Sequence, residues 1–179
     1  MAKQTINLGT TANDGTGDDI RAGGEKINDN FDEVYSFTGW QSRYSATPAT
    51  LTGLTNNFIV LTGTPAENGG LTLLDSNSRI TPIALNDVIS FDFSVTVETP
   101  TGANEYIEIG LFIPGGGFYR STLKPLLKGS GIDQVVSVSF VLPVEATFLA
   151  EGADVVIVPS VTLTGKDFYI NAVRIHKGQ

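Results

Sequence analysis

The chain of 179 residues contains no cysteine, one histidine, one tryptophan and one methionine. Without cysteine it can form neither disulfides nor thiolate metal sites, so its stability must come from packing and from contacts between subunits. His176 is the single imidazole, which excludes a histidine-paired nucleophile or a multi-histidine metal site within one chain. Its place near the end of the sequence suits a structural or surface role. Positive charge is scarce as well: 11 Lys and Arg stand against 19 Asp and Glu, a formal net of -8. That balance disfavours a partner held mainly through phosphates, so no nucleic acid is expected. No apolar run reaches the roughly 18 to 20 residues that cross a bilayer, and Met1-Ala2-Lys3-Gln4 lacks the apolar stretch of a secretion signal. The expectation is no membrane insertion and a product held in the cytosol until it assembles.

Chemistry-bearing motifs are equally sparse. The Gly-x-Ser-x-Gly elbow and the phosphate-binding Gly-x-x-x-x-Gly-Lys-Ser/Thr loop are both missing. Asp92 and Glu98 share one strand face and Glu105 and Glu108 lie on the next strand, where alternation marks all four as solvated surface rather than a hydrolytic pair. The run from Asn13 to Asp19 clusters oxygen ligands around glycines, but it has no glutamate at the twelfth position and suits a turn followed by a helix cap. These readings predict a non-enzymatic protein with no catalytic residue, cofactor or metal.

What the sequence does contain falls into three stretches. Residues 1–17 are rich in Gly, Thr, Asn and Asp and read as an extended arm, with Ile6 and Leu8 alternating as an edge strand against a neighbour would. From Asp18 to about Phe37, Ile20, Ile27, Phe31 and Val34 recur at spacings of seven, four and three. That places them along one helical stripe, with Lys26, Asn28, Asp29 and Asp32 facing away. Asp18 and Asp19 suit the start of this helix by capping and by the helix dipole. Ala22-Gly23-Gly24 interrupts it, at about 1 kcal/mol per glycine relative to alanine, and predicts a helix that starts after Gly24 or kinks there. So short a helix needs a partner surface: the β domain of the same chain, two symmetry mates in a three-helix bundle, or a groove on a larger assembly.

Beyond Trp40 the period changes to two. The clearest run is 88–98, with Ile89, Phe91, Phe93, Val95 and Val97 on one face and Ser90, Asp92, Ser94 and Thr96 on the other. Similar runs cover 41–46, 57–62, 71–75, 105–113, 118–126, 134–142, 155–163 and 168–176, which makes about nine or ten strands in about 140 residues. No helical period of useful length separates them, so an antiparallel β-sandwich of jelly-roll type is expected over 38–179, preceded by the arm and one short helix over 1–37. Trp40 is expected to pack between helix and sandwich. In the run Gly115-Gly116-Gly117-Phe118-Tyr119-Arg120, a turn leads into a strand with one ring pointing inward. Phe118, Tyr119 and Arg120 are also the candidate exposed recognition loop.

The N-terminal residues carry a resemblance. Ile6-Asn7-Leu8-Gly9, then Asn13-Asp14-Gly15-Thr16-Gly17-Asp18 with Arg21, then Lys26-Ile27-Asn28-Asp29-Asn30-Phe31 with Tyr35, resemble the leading segment of many tailed-bacteriophage virion proteins. Fibre, baseplate and capsid-surface components share it. The resemblance covers residues 4–36 and implies a particle part assembled in the host cytoplasm. A second stretch is similar to the trimeric jelly rolls of the tumour-necrosis-factor and C1q type: the turn at 129–133, the run 149–155, and the terminal Phe168-Tyr169-Ile170-Asn171-Ala172-Val173-Arg174-Ile175. Together they imply a homotrimeric capsid decoration protein or short head fibre, bound to other virion proteins through Ile6, Leu8, Ile20, Ile27, Phe31 and Val34. The alternative is a tail fibre tip or baseplate adaptor that binds host surface glycans.

Overall fold

Alternation in the strand Val88–Glu98 sets the pattern of the core. In the computed structural model, which describes residues 5–8, 10, 15–35, 39–61, 63–68, 71–129 and 131–177, Ile89, Phe91, Phe93, Val95 and Val97 are buried while the residues between them reach the surface. The described elements are α1 (Ile20–Tyr35), β1 (Gly39–Ser45), β2 (Ala49–Leu51), β3 (Asn57–Phe58), β4 (Ala66–Asn68), β5 (Val88–Glu98), β6 (Tyr106–Ile113), β7 (Gly117–Pro125), β8 (Asp133–Pro143), α2 (Ala146–Glu151), β9 (Asp154–Pro159) and β10 (Leu163–His176).

Two antiparallel sheets result. One has the order β4-β1-β10-β5-β8, with β2 also against β10; the other has the order β3-β9-β6-β7. The pairs nest from the outside inward: β1 with β10, β3 with β9, β5 with β8, β6 with β7. A long hairpin folded over on itself gives this pairing, and it is the jelly roll expected from the strand density. Between the sheets lie the β5 residues together with Ile107, Ile109 and Leu111 of β6, Val155 and Ile157 of β9, and Phe168, Ile170 and Ala172 of β10. Burying side chains of this size contributes about 1.5–3 kcal/mol each, which makes the sandwich the stable part of the molecule.

The sheet was legible where one face is apolar and the other polar, and less so elsewhere. Residues 71–75 form no strand; their only ladder contact is an isolated bridge from Leu74 to Ile80. Leu73 and Leu74 are adjacent and both buried, and their N–H groups bond a side chain rather than a neighbouring strand. Buried Gln41 of β1 holds them instead: its Oε1 accepts from the Leu73 and Leu74 N–H groups at 2.6 Å each, and its Nε2 donates to Glu67 at 2.6 Å. Arg43, two residues along, donates to the Leu61 carbonyl at 3.0 Å and the Ser76 carbonyl at 3.2 Å. The sequence reading also lacked β2, β4 and α2, three elements of at most six residues. The short helix α2 carries Phe148 into the core.

Candidate functional site

The N-terminal unit is built on four polar residues, Asn7, Asp18, Asp19 and Lys26. Asp19 caps α1: its Oδ1 accepts from the Ala22 N–H at 2.7 Å, which satisfies one of the free donors of the first turn, and its carbonyl accepts from Gly23 N–H at 2.9 Å. The helix therefore begins at Ile20 and runs through both glycines as one 16-residue element, which corrects the expected start after Gly24. Asp18 faces the arm instead of capping. Its N–H donates to the Asn7 carbonyl at 2.7 Å, and its Oδ2 accepts from Asn7 N–H at 2.8 Å and from the Lys26 ammonium at 2.6 Å. The Lys26 hydrogen bond, then the Asn7 N–H, holds the Asp18 carboxyl below its ordinary pKa. Lys26 further reaches the Thr5 carbonyl at 3.3 Å, and the Asn7 amide donates to the Thr16 carbonyl at 2.8 Å.

The described arm residues are not paired as a strand; Asn7 is clasped back onto the start of α1. Ile6 is half-buried, and its Cγ2 lies 3.8 Å from where a Cβ on Gly23 would stand, so the bare backbone of the helix receives it. Lys26, expected to face away, is the pin of the clasp. Periodicity carries no signal for such pairs, because they join residues 8 and 11 positions apart through hydrogen bonds rather than through a repeating apolar face. Residues 1–4, 9, 11–14 and 36–38 lie outside the described ones, and with them part of the Asn13–Asp19 turn and the side-chain surroundings of Val34.

The clasp leaves several large apolar side chains exposed. Leu8 is 87% exposed, Ile20 97%, Ile27 43% and Phe31 54%. These residues leave apolar surface open to solvent on one small unit.

At the far end of the sandwich, Gly115 and Gly117 adopt φ of +76° and +90°, the left-handed conformations that turn the chain from β6 into β7. The three candidate recognition residues then separate. Tyr119 points to the core side, its ring 5.1 Å from that of Phe148 and its hydroxyl donating to the Pro143 carbonyl at 2.6 Å. Burial, foremost, pushes its hydroxyl pKa up. Phe118 and Arg120 remain exposed. Phe118 meets Phe112 edge-to-face at 5.8 Å, and Phe112 meets Phe58 likewise at 5.7 Å, giving an aromatic row across the four-stranded sheet. Gly110 makes room for it, since a Cβ there would stand 2.8 Å from the Phe118 ring and 2.5 Å from the Arg120 carbonyl. Trp40 is half-buried on β1, opposite Val173 of β10.

The surface carboxylates are more ordered than alternation alone suggests. Asp92 accepts from the Ser139 hydroxyl at 2.5 Å and from the Asn171 amide at 3.4 Å. Glu108 accepts from Ser121 at 2.6 Å and Glu105 from Ser160 at 2.5 Å. Cross-strand register brings these serines opposite or beside their acids, a relation that a single strand read by itself cannot show. Among the described residues no group of three or more His, Asp or Glu could hold a metal, and no helix is long and apolar enough to cross a membrane.

Comparison with known proteins gives the following. A family model described as bacteriophage T4 gp9/10-like protein, N-terminal, matches residues 3–102. Over 33 residues, 18% of this chain, the sequence is 64% identical to baseplate wedge protein gp10 of Enterobacteria phage T4. The matched stretch spans 6% of that protein's length. Among solved structures, PRD1 vertex protein P5 is similar with a TM-score of 0.47 and 14% identity, over 77% of this chain and 73% of that one. A structure of disulfide-linked pili, the Bacillus endospore appendages, is similar with a TM-score of 0.35 and 14% identity, over 78% of this chain and 91% of that one.

Proposed function

The chain belongs to the bacteriophage T4 gp9/10-like N-terminal family and is a structural component of a phage particle, and from that premise we propose that residues 1–37 anchor it to other virion proteins while residues 38–179 project as a jelly roll. The observation that carries this reading is the contrast in burial: the sandwich closes its own core, whereas Leu8, Ile20, Ile27 and Phe31 keep much of their surface open to solvent on a unit whose described contacts are mainly polar. Covering those side chains supplies the binding energy. The stripe at 20, 27, 31 and 34 follows a spacing of seven, then four and three, which also suits packing against the same helix of two symmetry mates. Its charged residues Glu25, Lys26, Asp29, Asp32 and Glu33 sit off that seam, so copies of a chain of net charge -8 can approach along it. A homotrimer multiplies weak anchoring contacts into firm attachment.

Two positions on the particle fit an anchored jelly roll: a capsid decoration or short head fibre, and a baseplate adaptor or fibre tip. The identity to a baseplate wedge protein supports the second. The test is removal of residues 1–37. The remaining sandwich should be soluble and folded and should no longer copurify with particles assembled in its presence. Full occupancy by the truncated chain would refute the anchoring role.

A further inference from the structure

The outer face of the four-stranded sheet carries a groove of about 660 Å³ that the anchoring role does not use. Asn104, Glu105, Tyr106 and Glu108 line one side and Leu123, Pro125 and Leu126 the other. Its floor is two cross-strand rows, Tyr106 opposite Pro125 and Glu108 opposite Leu123, and the Leu126 N–H closes the end by donating to the Glu105 carbonyl at 2.9 Å. A groove built on paired strands keeps its shape, and its size lies within the range of small-molecule sites.

The polar atoms of this groove are set in place rather than loose. Ser121 fixes Glu108 and Ser160 fixes Glu105, each through one carboxylate oxygen. The Ser160 oxygen also accepts from the Tyr106 N–H at 2.9 Å, so acid, serine and tyrosine backbone form one chain of hydrogen bonds. Among the described residues, the second oxygen of each glutamate has no protein donor. The groove therefore presents two oriented acceptors of high charge density beside an exposed tyrosine ring and an exposed leucine.

We infer that this groove binds a neutral saccharide. A pyranose has a C–H face that rests on an aromatic or aliphatic wall, here Tyr106, Leu123 and Pro125, and an edge of hydroxyl donors that two carboxylates accept. The same carboxylates repel sialylated, phosphorylated or otherwise anionic sugars. A metal ion is a poorer fit: each glutamate already spends one oxygen on a hydroxyl, and no third acid or histidine completes a ligand set among the described residues. The inference concerns the sandwich alone, so its failure would leave the anchoring role intact.

The experiment uses the full chain against a panel of neutral gluco-, galacto- and manno-oligosaccharides, with sialylated and phosphorylated oligosaccharides and a deacetylated amino-sugar oligomer alongside, read by titration in solution. At least one neutral oligosaccharide should bind, Tyr106→Ala should weaken it by about three- to tenfold through lost stacking, and Glu108→Gln by about fivefold through loss of the charge-assisted bond. Phe58→Ala, on the same sheet but outside the groove, should bind normally, and all three variants should melt as the parent does. Binding indifferent to Tyr106→Ala, preference for the anionic or the amino sugars, or no neutral sugar bound would each overturn the inference.

Discussion

The N-terminal unit and the sandwich use the same kinds of residue in opposite places. In the sandwich, Phe91, Phe93 and Ile109 lie between the sheets and the serines and carboxylates bond one another outside. In the N-terminal unit, Asp18, Asn7 and Lys26 make the internal polar contacts, and Ile20, Ile27 and Phe31 are exposed. A polar clasp can set a shape, but it stabilises little where water competes for each bond. A short helix with exposed apolar side chains therefore has much of its stabilisation still to gain, and the proposed anchoring would supply it. The sandwich has its core closed already, and side chains such as Leu123, Val135 and Val141 stay exposed outside it.

The largest effect that would sharpen this contrast compares two apolar truncations. Phe91→Ala removes a ring with no exposed surface from the centre of β5 and should cost about 3–5 kcal/mol of stability in denaturant unfolding. Ile20→Ala, measured where the chain is monomeric, should stay within about 0.5 kcal/mol of the parent, because the side chain it removes touches mainly water. Equal losses at the two sites would mean that α1 is part of the folded core, and the division of the molecule into anchor and sandwich would fall.

A smaller effect tests what holds the helix itself. Gly24 has open space where a Cβ would stand, so Gly24→Ala meets no steric objection and should stabilise α1 by about 1 kcal/mol. Backbone amides of α1 should then exchange about fivefold more slowly with solvent, while those of β5 stay as they were. No change in α1 would show that its opening is governed by the clasp rather than by the helix's own propensity.

These regions were also unequally legible in the sequence. Strands β5, β6, β8 and β10 follow from alternation because each puts one face in a core and the other in water, and β5 was bounded to the residue. The apolar stripe of α1 was visible for the related reason that helical periodicity records which side chains share a face. Burial of adjacent Leu73 and Leu74 was not visible, since Gln41, more than 30 residues earlier, supplies the hydrogen bonds that a strand would otherwise need. The clasp was hidden for the same cause. Asp18 looked like a second capping residue, and nothing local distinguishes it from Asp19; the difference lies in where Asn7 and Lys26 end up. In the candidate groove, the identities of Glu105 and Glu108 were noticed, but Ser121 of β7 and Ser160, just past β9, orient those acids from positions distant in sequence.

The finest test of the comparison is acid titration of the clasp. Lys26 and the Asn7 N–H favour the charged form of Asp18, so its carboxyl titrates below the ordinary value of 3.8 in the folded chain. A depressed folded-state pKa contributes stability that is present above the unfolded value and is lost as pH falls through the folded one. The clasp should therefore be intact from neutral pH down to about 3.8 and should open as pH falls further, through the lower pKa of the folded chain, where the protonated acid stops accepting from both donors. The readout is the Asn7 amide, followed by NMR exchange against the Phe91 and Phe93 amides of β5 as an internal reference: Asn7 should lose protection in acid while the reference amides keep theirs. Asp18→Asn should abolish that transition and leave Asn7 poorly protected at every pH. If Asn7 and β5 instead lose protection together, the arm is stabilised by the sandwich and not by the clasp, and the N-terminal unit is no longer a separable device.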